Sequence, residues 1–298
     1  MAAEARAEAR AEARTPRSAQ RTWLWGALLA LPTAWMVTFF VFAMAIVVLL
    51  SFGRTTNDGF PAFATSTANY RALWNDVYLE LFVRSLLYAL ATVVIAVLIA
   101  YPVAYAIALH GGRYKNALIA AIVVPFFASY LIRMYAWKAL LSDDGLVNSG
   151  LRKTGLSDGV TFLNTPWAVI GGLVYGFVVF MILPIYASLE RLDVSLIEAG
   201  KDLYHGPVRT FFAVTLPATR AGLYGGVLLV FLPALGDFVS AQLLGGANTF
   251  MLGNLVQQQF NEGQNWPLGS ALTVALMAAL TVLMVVYLRA TSTEAREA

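Results

Sequence analysis

One carboxylate, Asp237, stands deep inside a long apolar run, Leu232-Pro233-Ala234-Leu235-Gly236-Asp237-Phe238. In a bilayer an unpaired aspartate costs about 2.5–3.5 kcal/mol even on the mild insertion scale, so this one is expected to face protein or water. Two readings are open. Asp237 either lines a pathway and attracts a cationic substrate, or it pairs with Arg133 or caps a helix broken between Pro233 and Gly236. Arg133 lies in another apolar run, among Tyr130, Tyr135 and Trp137, and is expected to need a partner. Lys138 is near enough to the end of that run to snorkel, and Arg84 sits at the edge of its own run. The aromatic side chains around Arg133 can hold a cation over their faces, or anchor a helix at the membrane interface.

Other chemistry is excluded by what is missing from the sequence. With no cysteine there is no disulfide, thiolate nucleophile, Cys-ligated zinc or iron–sulfur cluster. The two histidines, His110 and His205, lie far apart, and His110 has no metal-ligand neighbour, so it reads as a helix-end residue. No Gly-x-x-x-x-Gly-Lys-Ser/Thr phosphate loop and no serine–base or His/Asp/Glu cluster occurs. The chain is therefore expected to be no enzyme and to hold no cofactor.

The elements that must position these residues are membrane helices. Hydrophobic residues make up 59% of the 298, charged residues 12%, and mean hydropathy is +0.68. Soluble domains carry about 25% charged residues, and a chain this poor in charge cannot cover a water-facing surface. Its apolar residues fall into six blocks, at 25–52, 81–109, 117–141, 167–189, 221–244 and 268–288. Each is near the roughly 20 residues that span the hydrocarbon as a helix, the form that satisfies its own backbone groups. The expected fold is all-α and polytopic, with an arm over 1–22, a membrane domain over 23–289 and a tail over 290–298.

The arm repeats Ala-Glu-Ala-Arg three times between Ala3 and Arg14, which places like charges four residues apart. That spacing weakens an isolated helix, and a solvated, disordered arm is expected. The apolar run after it is too long for a cleaved signal peptide. With the N-terminus inside, the cytoplasmic segments hold thirteen Lys and Arg and the external loops four. The positive-inside rule then places both termini in the cytoplasm. Net charge is only +3, which gives no reason to expect a nucleic-acid partner. Gly172 with Gly176, and Gly222 with Gly226, have the spacing that lets helices approach closely, and packing within this chain is expected.

The loop at 190–220 is too polar to span and too patterned to be a linker. Leu192, Leu196, Ala199 and Leu203 form one helical stripe, with Glu198, Lys201 and Asp202 on another face. After Gly206-Pro207, a second short helix is expected to end before Pro217. Two short amphipathic helices of this kind can dock on another protein or lie on lipid.

The run Glu198-Ala199-Gly200-Lys201-Asp202-Leu203, followed by Val214-Thr215-Leu216-Pro217, resembles the coupling signature of bacterial ABC importer permeases. Glu198, Ala199, Leu216 and Pro217 match that pattern, Val214 replaces Ile, and Gly200 replaces a second Ala. Tyr204 stands where the pattern has its turn glycine, and Gly206, two residues on, can supply the bend. Pro125-Phe126-Phe127, Leu131-Ile132-Arg133, the Asp237 run, Leu244-Gly245-Gly246, Met251-Leu252-Gly253-Asn254 and Asn265-Trp266-Pro267-Leu268-Gly269 are similar to spermidine/putrescine-type permeases, most of all the first of their two permease subunits. The resemblance covers about residues 24–287. It implies a six-helix permease fold in a bacterial inner membrane, a second homologous permease, and an ATPase dimer that holds the ATP and Mg. It also implies an extracytoplasmic binding protein that delivers a polyamine. The rival is a stand-alone secondary transporter, which is expected to show an internal repeat or an acidic relay. Neither is found, and that rival leaves the 190–220 loop without a task.

Overall fold

The structure is a computed structural model that describes residues 17–56, 61–154, 161–204 and 206–294. Helix α1 (Arg17–Ser51) is followed by a two-stranded antiparallel ribbon, β1 (Arg54–Thr55) and β2 (Pro61–Ala62), and by the short α2 (Ala68–Ala72). Next come α3 (Asp76–Tyr105), α4 (Lys115–Phe126), α5 (Tyr130–Leu141), α6 (Leu146–Thr154) and α7 (Pro166–Glu190). The chain continues with α8 (Val194–Tyr204), α9 (Pro207–Thr210), α10 (Leu216–Gly236), α11 (Val239–Leu244), α12 (Leu252–Asn261) and α13 (Trp266–Glu294). Of the arm expected over 1–22, residues 1–16 lie outside the described residues, and from Arg17 the chain is already helical. The tail expected from residue 290 continues α13 to Glu294, and 295–298 lie outside the described residues.

Local sequence sets the helix starts. The Asn75 side chain accepts the Val77 amide at 3.3 Å, with Asp76 in the first turn of α3. Thr165 accepts the Ala168 amide at 3.3 Å and Pro166 opens α7. At the end of α1, Asn69 Nδ2 donates to the carbonyls of Ser51 and Gly53 at 2.9 and 3.0 Å, which closes the helix and ties α2 to it.

Five unbroken helical stretches are long and apolar enough to cross a membrane: Leu28–Ser51, Asp76–His110, Pro166–Glu190, Pro207–Gly236 and Trp266–Thr291. The sixth expected span, 117–141, is not one helix. It divides into Gly112–Phe126 and Tyr130–Thr154, bent by 87°. Pro125 lies in the last turn of α4, and Ser129 is extended (ψ 132°), so the helical bonding stops and restarts. The span expected over 221–244 also differs. It begins at Pro207, ends at Gly236, and resumes as α11 after a break at Asp237 and Phe238.

The core lies where α3, α7 and α10 meet. Small residues at Ala89, Ala96, Ala100 and Ala104 of α3 are fully buried, and the α7 and α10 glycines let backbones approach. A Cβ on Gly226 would lie 2.7 Å from Met181 Sδ, and one on Gly222 would meet Ser188 and the Pro184 carbonyl. The glycine pairs thus serve contacts within this chain. Helix α1 stands apart, beside α13, with Trp35, Phe39, Phe40 and Phe42 exposed, as suits a helix solvated by lipid.

Candidate functional site

The loop between α7 and α10 folds as two helical pieces that lean on each other. Asp193 caps α8: its Oδ1 accepts the Ser195 amide at 2.9 Å, and that hydrogen bond holds the carboxyl below its ordinary range. Ile197, 4% exposed, and Gly200 face inward. A Cβ on Gly200 would lie 2.9 Å from Thr210 Cγ2 and 3.0 Å from Val214 Cγ2, so this glycine is needed for a close approach rather than a turn. The stripe read from the sequence faces the other way, with Leu196 51% and Leu203 69% exposed and Ala199 also open. Glu198, Lys201 and Asp202 are exposed as well.

Two expectations for this loop are corrected. Gly206 does not supply a glycine-specific bend, because its backbone is extended (φ 173°, ψ 149°), a conformation open to any residue. Tyr204 ends α8, and Gly206 precedes the helix that starts at Pro207; His205 lies outside the described residues. The second helix does not stop before Pro217. From α9 it runs through a π-helical turn, Phe211–Thr215, into α10. Within an ordinary helix, Pro217 would leave the Ala213 carbonyl unpaired and press on it. The wider turn just before the proline relieves that clash, so the chain continues without a break.

The two intramembrane charges do not pair. Among the described residues no ion pair joins Arg133 to Asp237. Asp237, 8% exposed, accepts the Ser240 amide through Oδ2 at 2.8 Å and the Tyr130 hydroxyl through Oδ1 at 3.2 Å. It therefore caps α11 where α10 has broken, the second of the two structural readings. The rest of the break is satisfied by neighbours. Asn254 Nδ2 donates to the Phe238 carbonyl at 2.8 Å, and a Cβ on Gly253 would lie 2.8 Å from the Gly236 carbonyl oxygen. Non-helical backbone at membrane depth is tolerated only where protein or enclosed water satisfies it.

Arg133, 9% exposed, is held by rings instead of a carboxylate: its guanidinium carbon lies 5.0 Å from the Phe126 centroid, 5.6 Å from Tyr130 and 5.8 Å from Tyr175. Its Nε is buried without a hydrogen-bond partner. Tyr130 stands between the two charges, with its ring beside Gly176, where a Cβ would be 2.8 Å from Tyr130 Cε2. Tyr135 is exposed and is not one of the three rings around Arg133. Ser240 and Asn254 also belong to the site. Asp237 three residues before Ser240 is a capping spacing, and Asn254 in an apolar stretch is a buried amide that must find partners.

No protein-family model matches the chain. It is 38% identical over 259 residues to the spermidine/putrescine transport system permease protein PotB of Haemophilus influenzae, covering 86% of this chain and 90% of the relative. The chain belongs to the PotB family of transport permeases. The PotB protein of Escherichia coli strain K12 is 34% identical over 257 residues, 86% of this chain and 94% of that one. Among solved structures, a bacterial alginate ABC transporter, crystallised in complex with an alginate pentasaccharide-bound periplasmic protein, has a chain that superposes with a TM-score of 0.69 at 17% identity. The match covers 92% of this chain and 96% of that one, which establishes the shared ABC permease fold. As a member of the PotB family the chain is a multi-pass inner-membrane permease subunit.

Proposed function

We propose that this chain forms half of the translocation pathway of an ATP-driven polyamine importer and receives the ATPase on the outer face of α8. The observation that carries the docking role is the exposed apolar row on the loop. Val194, Leu196 and Leu203 of α8, with Val208 and Phe212 beyond the turn, lie open on elements whose other face is already packed. Apolar side chains gathered on a short helix outside the bundle suit a groove on another protein. Glu198 and Ala199 share that outward side, Gly200 packs on Val214 beneath it, and Leu216 and Pro217 open the helix that follows.

The remaining parts follow from the same reading. ATP and Mg belong to a separate ATPase dimer. A second homologous permease supplies the other half of the pathway, and an extracytoplasmic binding protein delivers the solute. Spermidine or putrescine is the substrate by analogy with the names of the PotB relatives. The inward bias of Lys and Arg puts both termini, and the docking face, in the cytoplasm. Lipid surrounds α1.

Leu203→Glu tests the docking role. Placing a charge at the centre of an apolar contact is expected to lower recovery of the ATPase with this chain, in detergent-solubilised membranes, by at least about tenfold, as loss of a central anchor typically exceeds 1–2 kcal/mol. The chain's own membrane level should not change. Full recovery of the ATPase with the variant would remove α8 as the docking element.

A further inference from the structure

Two π-helical turns occur among the described residues. One, Ala106–His110, ends α3; the other, Phe211–Thr215, joins α9 to α10. Phe211 packs edge-on against Tyr101 at 5.1 Å between ring centroids and against Tyr105 at 6.2 Å, just before the first of these turns. On its other side the second turn touches the docking helix, since Thr210 and Val214 are the residues that Gly200 packs against. The Phe211–Thr215 turn is therefore clasped between α8 and α3.

Its internal bonds are evenly opposed. The Leu216 amide donates to the Phe211 carbonyl, the five-residue bond of a π turn. Thr219 Oγ1 donates to the Thr215 carbonyl at 2.8 Å; with that proton spent, the Tyr101 hydroxyl, 2.6 Å away, must be the donor to Thr219. The Thr215 hydroxyl is buried with no hydrogen-bond partner. In a regular α-helix a threonine hydroxyl reaches back to the carbonyl four residues earlier, here that of Phe211. The π form thus leaves one buried hydroxyl unsatisfied, which disfavours it. Pro217 disfavours the α form through its clash with the Ala213 carbonyl. Neither form is free of a penalty.

We infer that Phe211–Thr215 is a two-state joint, and that Phe211 and Thr215 are the positioning residues that pass movement of the docking helix to α3 and α10. Conversion between π and α removes one residue from the turn. It rotates α9 relative to α10 by about 100° of helical phase and shifts it by about 1.5 Å, the increments of one helical residue, and α8, packed on Thr210 and Val214 through Gly200, follows. Phe211 sits within the turn, so its ring moves against Tyr101 and Tyr105 and carries α3 along. Bistable packed elements of this kind convert small shifts at a docking site into discrete rearrangements. The inference rests on the docking reading above.

The test uses the assembled transporter in lipid nanodiscs, with its ATPase, second permease and binding protein. The natural chain has no cysteine, so Asp202→Cys and Ala221→Cys accept a pair of spin labels without background. Two distance populations are expected, exchanging between the nucleotide-free and ATP-trapped states. Thr215→Val removes the unsatisfied hydroxyl at equal size and should favour the π form. One population should then dominate in both nucleotide states, and uptake should fall at least about fivefold, the low end of typical coupling effects, while basal ATP hydrolysis is kept. Thr215→Ser, which retains the hydroxyl, should restore both populations. Should Thr215→Val exchange populations and transport as the parent does, the joint is ruled out. Failure of the docking reading shows separately, as unchanged ATPase recovery with Leu203→Glu.

Discussion

Gly200→Asp abolishes solute uptake while leaving the chain inserted in the membrane: at least a hundredfold loss is expected. The substitution acts twice at one place. Its Cβ would stand 2.9 Å from Thr210 Cγ2 and 3.0 Å from Val214 Cγ2, so α8 must lift away from the turn beneath it. Forced overpacking of this kind typically costs about 1–3 kcal/mol. The carboxylate would in addition be placed against buried Thr210, and burying a charge is far more costly than burying a polar group. Together these effects exceed the roughly 2.7 kcal/mol that a hundredfold change requires. The check is uptake in membranes normalised for the amount of this chain, with Gly200→Ala as the milder comparison. Normal uptake by both variants would mean that the seat of α8 plays no part in coupling.

Asp237 carries the second large effect, and here the two substitutions should diverge. Asp237→Leu strands the buried Ser240 amide and takes from the Tyr130 hydroxyl one of its two partners, leaving it only Ser240 Oγ at 2.7 Å. Hydrogen bonds to charged groups contribute about 1.5–3 kcal/mol each, and a stranded buried donor adds its own desolvation penalty. Loss of folded protein is expected, seen as a large fall in the thermal unfolding midpoint in detergent and in the amount extracted. Asp237→Asn keeps an oxygen for the Ser240 amide and turns its Nδ2 to the Tyr130 hydroxyl, whose own proton can go to Ser240 Oγ at 2.7 Å, so it should stay near the parent in stability, apparent affinity and maximal uptake. A pathway carboxylate predicts the opposite pattern. Under that reading Asp237→Asn would keep full stability and lose apparent affinity for a cationic solute.

The membrane class and the positions of the six apolar blocks were legible because lipid-solvated helices must be long and apolar, and nothing else in the chain is. The breaks were harder to place. Pro125 and Pro233 marked weak points, but a proline can sit within a helix or end it, and the outcome depended on distant neighbours. The fifth span can break at Asp237 because Asn254 donates to the Phe238 carbonyl and the Asp237 carboxylate accepts the Ser240 amide that opens the next helix. The Asn254 contact joins residues that sequence spacing cannot relate. The Arg133–Asp237 pair failed for a similar reason: complementary charges suggested it, whereas Tyr130 takes the carboxylate and three rings take the guanidinium.

The docking loop shows the same division. Periodicity identified the stripe of Leu192, Leu196, Ala199 and Leu203, and Leu196 and Leu203 are indeed aligned on one face, but periodicity could not say which way it turned. The structure turns it outward because Ile197 and Gly200 supply the inner contact. The continuous path from α9 into α10 was hidden by Pro217, which reads as a stop in any sequence. A π turn before it was not foreseeable from residue types alone.

The central claim is that this chain moves a polyamine at the expense of ATP hydrolysed by a partner. Uptake of labelled spermidine and putrescine tests it most directly, in cells whose other polyamine importers have been deleted, with and without this gene and with an ATPase-dead partner. The account predicts uptake that disappears both when the gene is removed and when the partner cannot hydrolyse ATP. Uptake that persists without the gene, or that survives an inactive ATPase, would contradict it.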